Sequence, residues 1–274
     1  MTLRRTVRFA INPSAADDRG TNGYGGVPSL IPWGRTFELT VSCRGTPDSS
    51  TGYLINIKAI DDAVRRTAVP ALAAHIERRA DPAACVPQLL TLLRNHLPVP
   101  VVAVRLHLTP TLVIDTEVTM GSRVVLAQKF EIAAAHRLHS PSLSDAENRA
   151  FFGKCNNPAG HGHNYVIEPR VETGTRAARA AITLAELEEI TQRVLVEPFD
   201  HKHLNLDTPE FSDHNGLNPT VENIAMVFFR LLSTELARLG RDARLREITV
   251  WETDRTSATF GGTQDYHAVN DQQV

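Results

Sequence analysis

Three histidines in the second half of the 274-residue chain have the spacing of a catalytic metal site. One glycine separates His161 from His163, and side chains at positions i and i+2 of an extended strand point to the same face. A third imidazole, that of His136, lies upstream. Three neutral nitrogens with an open fourth position are typical of catalytic zinc, whose free position takes substrate or water. The pattern therefore predicts Zn²⁺ on these three histidines, with a hydrogen-bonded histidine patch under a loop as the alternative.

Cys155 precedes His161 in a loop rich in glycine, asparagine and proline. Such a loop can hold a thiol close to a metal ion without a helix or strand constraining it. Near Zn²⁺ and a basic side chain the pKa of the thiol should fall, so that thiolate becomes available. Cys155 can then be a fourth ligand, which would close the site, or a general base. A titratable pair further along the chain favours the base and an open site.

That pair is Asp200 and His201, which follow Pro198 and can face one pocket from a turn. An aspartate that orients a histidine, which in turn exchanges a proton with a thiol, is the usual arrangement of an activated base. Glu252 ends a strand of alternating pattern, so its carboxylate can face inward and accept two hydrogen bonds from a planar heterocycle. Taken singly, the pair is more typical of a surface turn, and Glu252 of a cross-strand salt bridge. Three other histidines have no such context and are predicted to be surface or supporting residues: His139, His203 and His214.

The elements that must position these groups occur in the same order twice, with a period of about 120 to 130 residues. Hydrophobic periodicity predicts first-half strands over 7–11, 37–43, 99–108 and 112–118, and helices over 55–69 and 86–97. It predicts second-half strands over 130–135, 166–171 and 248–253, and helices over 182–196 and 221–239. The repeated order predicts a ββααββ unit in each half. Alternating strands beside paired helices favour an α+β fold with an antiparallel sheet.

The composition argues against several function classes. A formal net charge of −2 gives no electrostatic case for a nucleic-acid or anionic-membrane partner. No apolar stretch is long enough to span a bilayer, and no apolar run of a secretory signal follows the basic N-terminal residues. The 3 cysteines are far apart and odd in number, which indicates reduced thiols in the cytoplasm rather than disulfides.

Several segments of the second half resemble the 6-pyruvoyl-tetrahydropterin synthase family. The strongest are AHRLHSPSLS at 135–144, FGKCNNP at 152–158 and GHGHNY at 160–165. Further matches are DHK at 200–202, LN at 204–205, PT at 219–220, EN at 222–223 and ET at 252–253. The resemblance implies a zinc-dependent lyase that eliminates triphosphate from 7,8-dihydroneopterin triphosphate and rearranges its side chain.

The resemblance also implies a role for each matched residue. It implies zinc on the three histidines, Cys155 as the catalytic base, and Asp200 with His201 as the groups that tune and relay protons. The substrate contacts that it implies are Glu252, which anchors the pterin, and Thr220 and Glu222, which line the pterin pocket.

The product is less closely defined, because the same residues serve the bacterial 6-carboxy-tetrahydropterin synthases of queuosine synthesis. The spacing between Cys155 and His161 favours the pyruvoyl enzymes, whereas the Asn-Pro-Thr sequence at 218–220 favours the carboxy enzymes. A non-catalytic pterin-binding assembly protein is a third alternative. The favoured interpretation is the pyruvoyl enzyme.

The family resemblance further implies the tunnelling fold, or T-fold, an antiparallel sheet with two helices on one face that assembles side by side into a barrel. Applied to both halves it predicts a tandem T-fold, with 1–120 a degenerate scaffold unit and 121–274 the catalytic unit. The first half lacks the histidines and the acidic side chains of the predicted site. At the corresponding positions it has Ala15, Trp33, Arg35, Leu72, Ala73 and Leu108. Its remaining option is to supply a basic residue, such as Arg19 or Arg35, to a triphosphate at a subunit boundary. A homo-oligomer is expected, with a trimer as the first choice.

Overall fold

The computed structural model describes residues 1–13, 20–21, 25–31, 33–176, 179–212 and 217–261. Three positions named from the sequence lie outside these ranges: Ala15, Arg19 and His214. The chain divides into two compact units. The first unit comprises residues 1–128, 172–188 and 241–243, and the second comprises residues 129–171, 189–240 and 244–274. No helix among the described residues has the length and hydropathy needed to cross a bilayer.

The first unit contains antiparallel strands that pair in chain order. These are β1 (Thr2–Ile11), β2 (Arg35–Arg44), β3 (Val101–Thr109), β4 (Leu112–Glu117) and β5 (Arg123–Gln128). Helices α1 (Ile57–Ala63), α2 (Val69–Glu77) and α3 (Pro82–His96) complete this part, and α3 packs against β3, β4 and β5. Leu39, Val41 and Cys43 of β2 are fully buried at every second position, because strand side chains alternate between faces. Cys43 is therefore a core residue.

The rest of the chain supplies strands β6 (Phe130–His136), β7 (His161–Arg176), β8 (Arg179–Ala180), β9 (Lys202–His203), β10 (Ala243–Thr253) and β11 (Thr256–Gly261). Its helices are α4 (Asp145–Phe152), α5 (Leu184–Thr191), α6 (Glu197–Phe199), α7 (Leu204–Asp207) and α8 (Val221–Arg238). β6 pairs antiparallel with β7 and parallel with the short β9. The fold is thus α+β, and the sheet is mixed rather than purely antiparallel.

Helix α8 and an aromatic cluster hold the core of the second unit. Phe228 of α8 packs against Phe199, with 4.8 Å between ring centroids, and Phe211 packs on the Phe199 ring at 6.3 Å. All three side chains are almost fully buried, and burial of each stabilises the fold by about 1.5–3 kcal/mol. Because Asp200 directly follows Phe199, this packing fixes where the predicted Asp-His turn begins.

Both long helical segments continue past the ends that the sequence predicted. A π-helical turn, Val64–Ala68, leads into α2, and a second one, Gln192–Val196, leads into α6. In each case the widened turn places a proline, Pro70 or Pro198, in the first turn of the next helical segment. A proline there costs little, since its missing N–H would have no helical partner. The predicted ends at about 69 and 196 were therefore too early.

The structure also revises one internal match between the halves. Phe9 pairs with Phe37, and Ile132 pairs with Tyr165. If Phe37 corresponds to Tyr165, as the shared Gly-X-X-aromatic sequence suggests, the counterpart of His136 is Pro13 rather than Ala15. The first half still has no histidine at that position.

Candidate metal centre and active site

Strand pairing between β6 and β7 brings the three predicted histidines together. His136 lies opposite His161, and Ala134 lies opposite His163. The candidate ligand atoms of the three histidines all lie within 4.8 Å of one another. The Nε2 atoms of His136 and His161 are 3.2 Å apart. Two nitrogens bound tetrahedrally to zinc at 2.0–2.1 Å would be about 3.3 Å apart, so the spacing fits a shared ion.

His136 is held in one orientation by the backbone before α8. Its side chain is fully buried, and Nδ1–H donates to the Pro219 carbonyl oxygen at 2.7 Å. The lone pair of Nε2 therefore faces the other imidazoles. Metal-binding histidines almost always donate their second nitrogen in this way, because it fixes the tautomer and the ring orientation. The buried Tyr165 hydroxyl lies 3.3 Å from the same Nδ1.

The electrostatics favour the neutral forms of His136 and His161, and neutral imidazole is the form that binds metals. Burial lowers the pKa of His136 to about 4. Burial, followed by the neighbouring His163, also lowers the pKa of His161. Nε2 of His163 is buried and has no hydrogen-bond partner among the described residues. A buried polar atom without a partner is costly, so this nitrogen fits a metal ion as its missing partner.

Glu252 faces the histidine cluster from the end of β10. Its Oε1 atom lies 3.4 Å from Nε2 of His136 and 3.5 Å from Nε2 of His163. The pairing of β10 with β11 shifts register between Trp251 and Thr253, and such irregularities re-aim side chains next to functional sites. The carboxylate is therefore turned inward, as the strand pattern predicted.

Cys155 lies in the short 3₁₀ turn Gly153–Asn156, where its carbonyl oxygen accepts a hydrogen bond from Leu138 N–H at 2.8 Å. Its side chain is half-buried, and burial followed by the Glu252 carboxylate raises the pKa of the thiol. The direction is opposite to the fall expected beside a cation, because burial and a neighbouring negative charge both disfavour the thiolate. Among the described residues, the group that shares one set of ligand atoms consists of the three histidines without Cys155.

The Asp200-His201 turn is fastened to the backbone of β6. Ala133 N–H donates to Oδ1 of Asp200 at 2.8 Å, and the backbone N–H of His201 donates to the Ala133 carbonyl oxygen at 2.6 Å. The second carboxylate oxygen accepts from Nδ1 of His201 at 2.8 Å. The hydrogen bond from Ala133, followed by that from His201, lowers the pKa of Asp200. His201 has a φ of +56°, a left-handed conformation that is costly for a residue with a Cβ and is common at functional sites.

A cavity of about 750 Å³ joins this turn to the metal cluster. It is lined by His163 and Glu252 together with His201, Lys202 and His203. The cavity therefore contains a candidate ligand, the predicted pterin anchor and one member of the predicted proton relay.

Thr220 and Glu222 lie outside the described lining of that cavity. Thr220 caps α8, and its side chain accepts a hydrogen bond from Asn223 N–H at 3.3 Å. Glu222 is exposed in the first turn of the same helix, where a carboxylate favours the positive end of the helix dipole. Within the described part of the chain, their positions are those of helix-capping residues.

Two further residues shape the centre: Gly160, to which the sequence assigns no role, and His203, which it predicts to be a surface or supporting residue. His203 lines the cavity, and its Nε2 atom would lie 2.6 Å from a Cβ atom added at Gly160. That Cβ would also lie 2.9 Å from the carbonyl oxygen of His136, and Gly160 has a φ of +70°. Only glycine fits this position, which directly precedes His161. In the sequence, the glycine directly before His-Gly-His is the feature that could have indicated this close approach of the backbone.

The first unit has a cavity of about 520 Å³ at the matched positions. Arg35, Leu72 and Leu108 line it in place of His163, Asp200 and Glu252. Phe37 and Ile76 add further apolar surface. The described lining lacks the three-histidine cluster and the acidic groups of the second unit.

Residues 125–263 match the family model described as 6-pyruvoyl tetrahydropterin synthase. The 6-pyruvoyl tetrahydrobiopterin synthase of Homo sapiens is 36% identical over 138 residues, which cover 50% of this chain and 90% of that protein. The Drosophila melanogaster protein of the same name is 36% identical over 138 residues, 50% of this chain and 79% of its own length. A solved structure of Caenorhabditis elegans 6-pyruvoyl tetrahydropterin synthase is 34% identical and covers 52% of this chain and 96% of that chain, with a TM-score of 0.46. The matched segment contains every predicted site residue.

Proposed function

Because the chain belongs to the 6-pyruvoyl tetrahydropterin synthase family, we propose that it eliminates triphosphate from 7,8-dihydroneopterin triphosphate and rearranges the side chain to the 6-pyruvoyl product. The observation that carries this proposal is the convergence of three imidazoles, with the Glu252 carboxylate beside them, inside the matched segment. The test is incubation of the protein with this substrate, followed by mass spectrometry of the pterin product and measurement of released triphosphate.

His136, His161 and His163 would hold the metal, and we propose that it is zinc. Imidazole nitrogens suit zinc among several divalent metals, and an approximately tetrahedral spacing favours it. Bound there, zinc would act as a Lewis acid that polarises side-chain hydroxyl oxygens and acidifies the adjacent C–H bonds. The hydrogen bond from His136 to Pro219 keeps one ligand nitrogen aimed at the centre without any movement of the chain.

Cys155 serves as the base that takes the proton from the substrate carbon. The surrounding protein raises the pKa of its thiol, so a nearby cation must offset that effect before the thiolate forms. His201 then exchanges protons through its Nε2, because Nδ1–H is held by Asp200. The lowered pKa of Asp200 keeps its carboxylate charged, which favours that tautomer.

Glu252 holds the pterin ring in the cavity beside the histidines. Its carboxylate can accept one hydrogen bond from a ring N–H and one from the adjacent exocyclic NH₂. Because Oε1 lies close to two of the imidazoles, the pterin and the metal would occupy neighbouring positions in this cavity. Thr220 and Glu222 are assigned to the pterin pocket by family resemblance.

A tandem T-fold accounts for the repeated order of elements. Support comes from the two π-helical turns, which precede Pro70 and Pro198 in the two halves. In this proposal residues 1–120 are a scaffold unit and residues 121–274 the catalytic unit. Homo-oligomerisation, with a trimer as the first choice, and a cytoplasmic location belong to the same proposal.

One sequence feature, the Asn-Pro-Thr sequence at 218–220, favours the alternative 6-carboxy product. The names of the relatives reported above favour the pyruvoyl product. Product analysis separates the two by mass, and a protein that binds pterin without releasing triphosphate would instead fit a non-catalytic assembly role.

A further inference from the structure

A second cavity, of about 490 Å³, is lined in part by the loop that follows His136. His203 lines both this cavity and the one that contains Glu252. Arg137, the residue after the ligand His136, and His139 contribute further nitrogen-bearing side chains. None of the described residues that line the cavity carries a carboxylate. Its chemistry is therefore suited to an anion.

The guanidinium of Arg137 has no acidic partner in the described part of the chain. Nε donates to the Asn156 carbonyl oxygen at 3.3 Å, and Nη2 lies 3.4 Å from Nδ1 of His139. Other partly buried arginines are paired, such as Arg5 with Asp61 at 2.8 Å. A partly buried cation without a counter-ion is costly, so an anion in the cavity would be stabilised by it.

Asparagine side chains hold the backbone that carries this guanidinium. Oδ1 of Asn205 accepts from Arg137 N–H at 2.8 Å, and its Nδ2 donates to the Arg137 carbonyl oxygen at 3.1 Å. Oδ1 of Asn218 accepts from His139 N–H at 3.1 Å. The loop is thus fixed before any ligand binds, and such pre-organisation lowers the entropy cost of binding.

His203 also lines this cavity and has a ring nitrogen without a hydrogen-bond partner among the described residues. This nitrogen, Nδ1, is buried. An oxyanion that accepts a hydrogen bond from this ring would satisfy it.

We propose that this cavity binds the triphosphate of the substrate, with Arg137 as the principal contact. The inference rests on the proposed function, in which the base takes a proton from carbon while the C–O bond breaks. The electron pair of that bond leaves with triphosphate, so the departing group gains charge. The guanidinium of Arg137, which lines this cavity, would stabilise that charge by paired hydrogen bonds.

The test uses inorganic tripolyphosphate, added as its magnesium complex to zinc-loaded protein and followed by calorimetry. Arg137→Gln should weaken its binding about tenfold or more, whereas Arg137→Lys, which keeps the charge, should lose less. Lys202→Gln is the matched control, because Lys202 lines the cavity of Glu252 instead. Affinity for 7,8-dihydroneopterin, which lacks the triphosphate, should be unchanged in the Arg137 variants.

Unchanged tripolyphosphate affinity in Arg137→Gln, or a larger loss in Lys202→Gln, would overturn the proposal. Zinc content and melting temperature are measured for each variant, and Arg137→Lys supplies the comparison if the glutamine variant is unstable. The two proposals fail separately. If tripolyphosphate binding depends on Arg137 but the protein does not turn over the substrate, the proposed activity is rejected and the anion site stands. If the protein turns over the substrate but tripolyphosphate binding does not depend on Arg137, the anion site is rejected and the activity stands.

Discussion

Nδ1 of His136 lies 2.7 Å from the carbonyl oxygen of Pro219. Because Pro219 directly precedes Thr220, the N-cap of α8, this hydrogen bond connects the His136 imidazole to the helix that carries much of the core. The bond fixes the proton on Nδ1 and leaves Nε2 facing His161 at 3.2 Å. The geometry of the centre therefore depends on the packing of α8 as well as on β6 and β7.

Replacement of a ligand should remove the metal. His161→Ala takes away one of three nitrogens, and even loss of a supporting hydrogen bond typically lowers metal affinity about 10- to 100-fold. We expect about one zinc per chain in the wild-type protein and a small fraction of that in the variant, measured by elemental analysis after dialysis. His96→Ala, on the exposed end of α3, is the control and should retain the metal. Equal zinc content in His161→Ala would contradict the ligand assignment.

Replacement of the thiol should separate catalysis from metal binding. Cys155→Ala is expected to lower turnover by about 10²–10⁴-fold, the usual contribution of a positioned base. Its zinc content should stay at the wild-type level, because Cys155 is not part of the three-histidine group. Loss of zinc together with activity would instead make the thiol a fourth ligand.

A methyl group at Gly160 should disturb the centre more than one at a comparable glycine. In Gly160→Ala the new Cβ would meet His203 and the His136 carbonyl oxygen, in addition to the cost of φ at +70°. Gly240→Ala is the matched control, since Gly240 has a φ of +61° and nothing within 4 Å of the added Cβ. Both variants should lose about 1–2 kcal/mol of unfolding free energy from the left-handed backbone. Only Gly160→Ala should also lose zinc affinity, and equal metal binding in the two would refute the steric argument.

Much of the site could be predicted from the sequence because its signals are local. Strand alternation places His161 and His163 on one face. The sequence also predicted a turn after Pro198 that presents Asp200 and His201, although the helix continues to Phe199. The hydrogen bond from His136 to Pro219 could not be predicted, since a backbone carbonyl carries no sequence signal and its position depends on tertiary packing.

The missed elements have similar physical causes. In each π-helical turn a backbone N–H donates to the carbonyl oxygen five residues earlier, and this spacing lets the helix continue through Pro70 or Pro198. Hydrophobic periodicity does not reveal such a turn. Helix α4 was missed although its signal was present, a capping box formed by Ser144 and Glu147. The role of His203 became visible only when β9 placed it beside Gly160.

Acid stability of the first unit should depend on Glu186. The Thr183 backbone N–H, followed by the Arg241 guanidinium, lowers the pKa of Glu186 from 4.5 to about 2. A lowered folded-state pKa stabilises the fold above pH 4.5, and this contribution is lost as the pH falls toward 2. Glu186→Gln should therefore be less stable than wild type at pH 7, by about 1 kcal/mol as for other lost caps, and equally stable near pH 2. Glu188→Gln, exposed on the same helix, is the control for urea unfolding at both pH values.

Removal of the Asp200 charge should impair turnover without unfolding the turn. In Asp200→Asn the amide oxygen can still accept from Ala133 N–H, so the attachment of the turn to β6 is retained. The variant lacks the negative charge that stabilises His201 when it holds a second proton, and we expect turnover to fall about 10²-fold or more. Zinc content and melting temperature should stay close to wild type. Asp254→Asn, which is 90% exposed, should keep full activity. Wild-type turnover in Asp200→Asn would exclude the relay, because the geometry of the turn would then be sufficient without its charge.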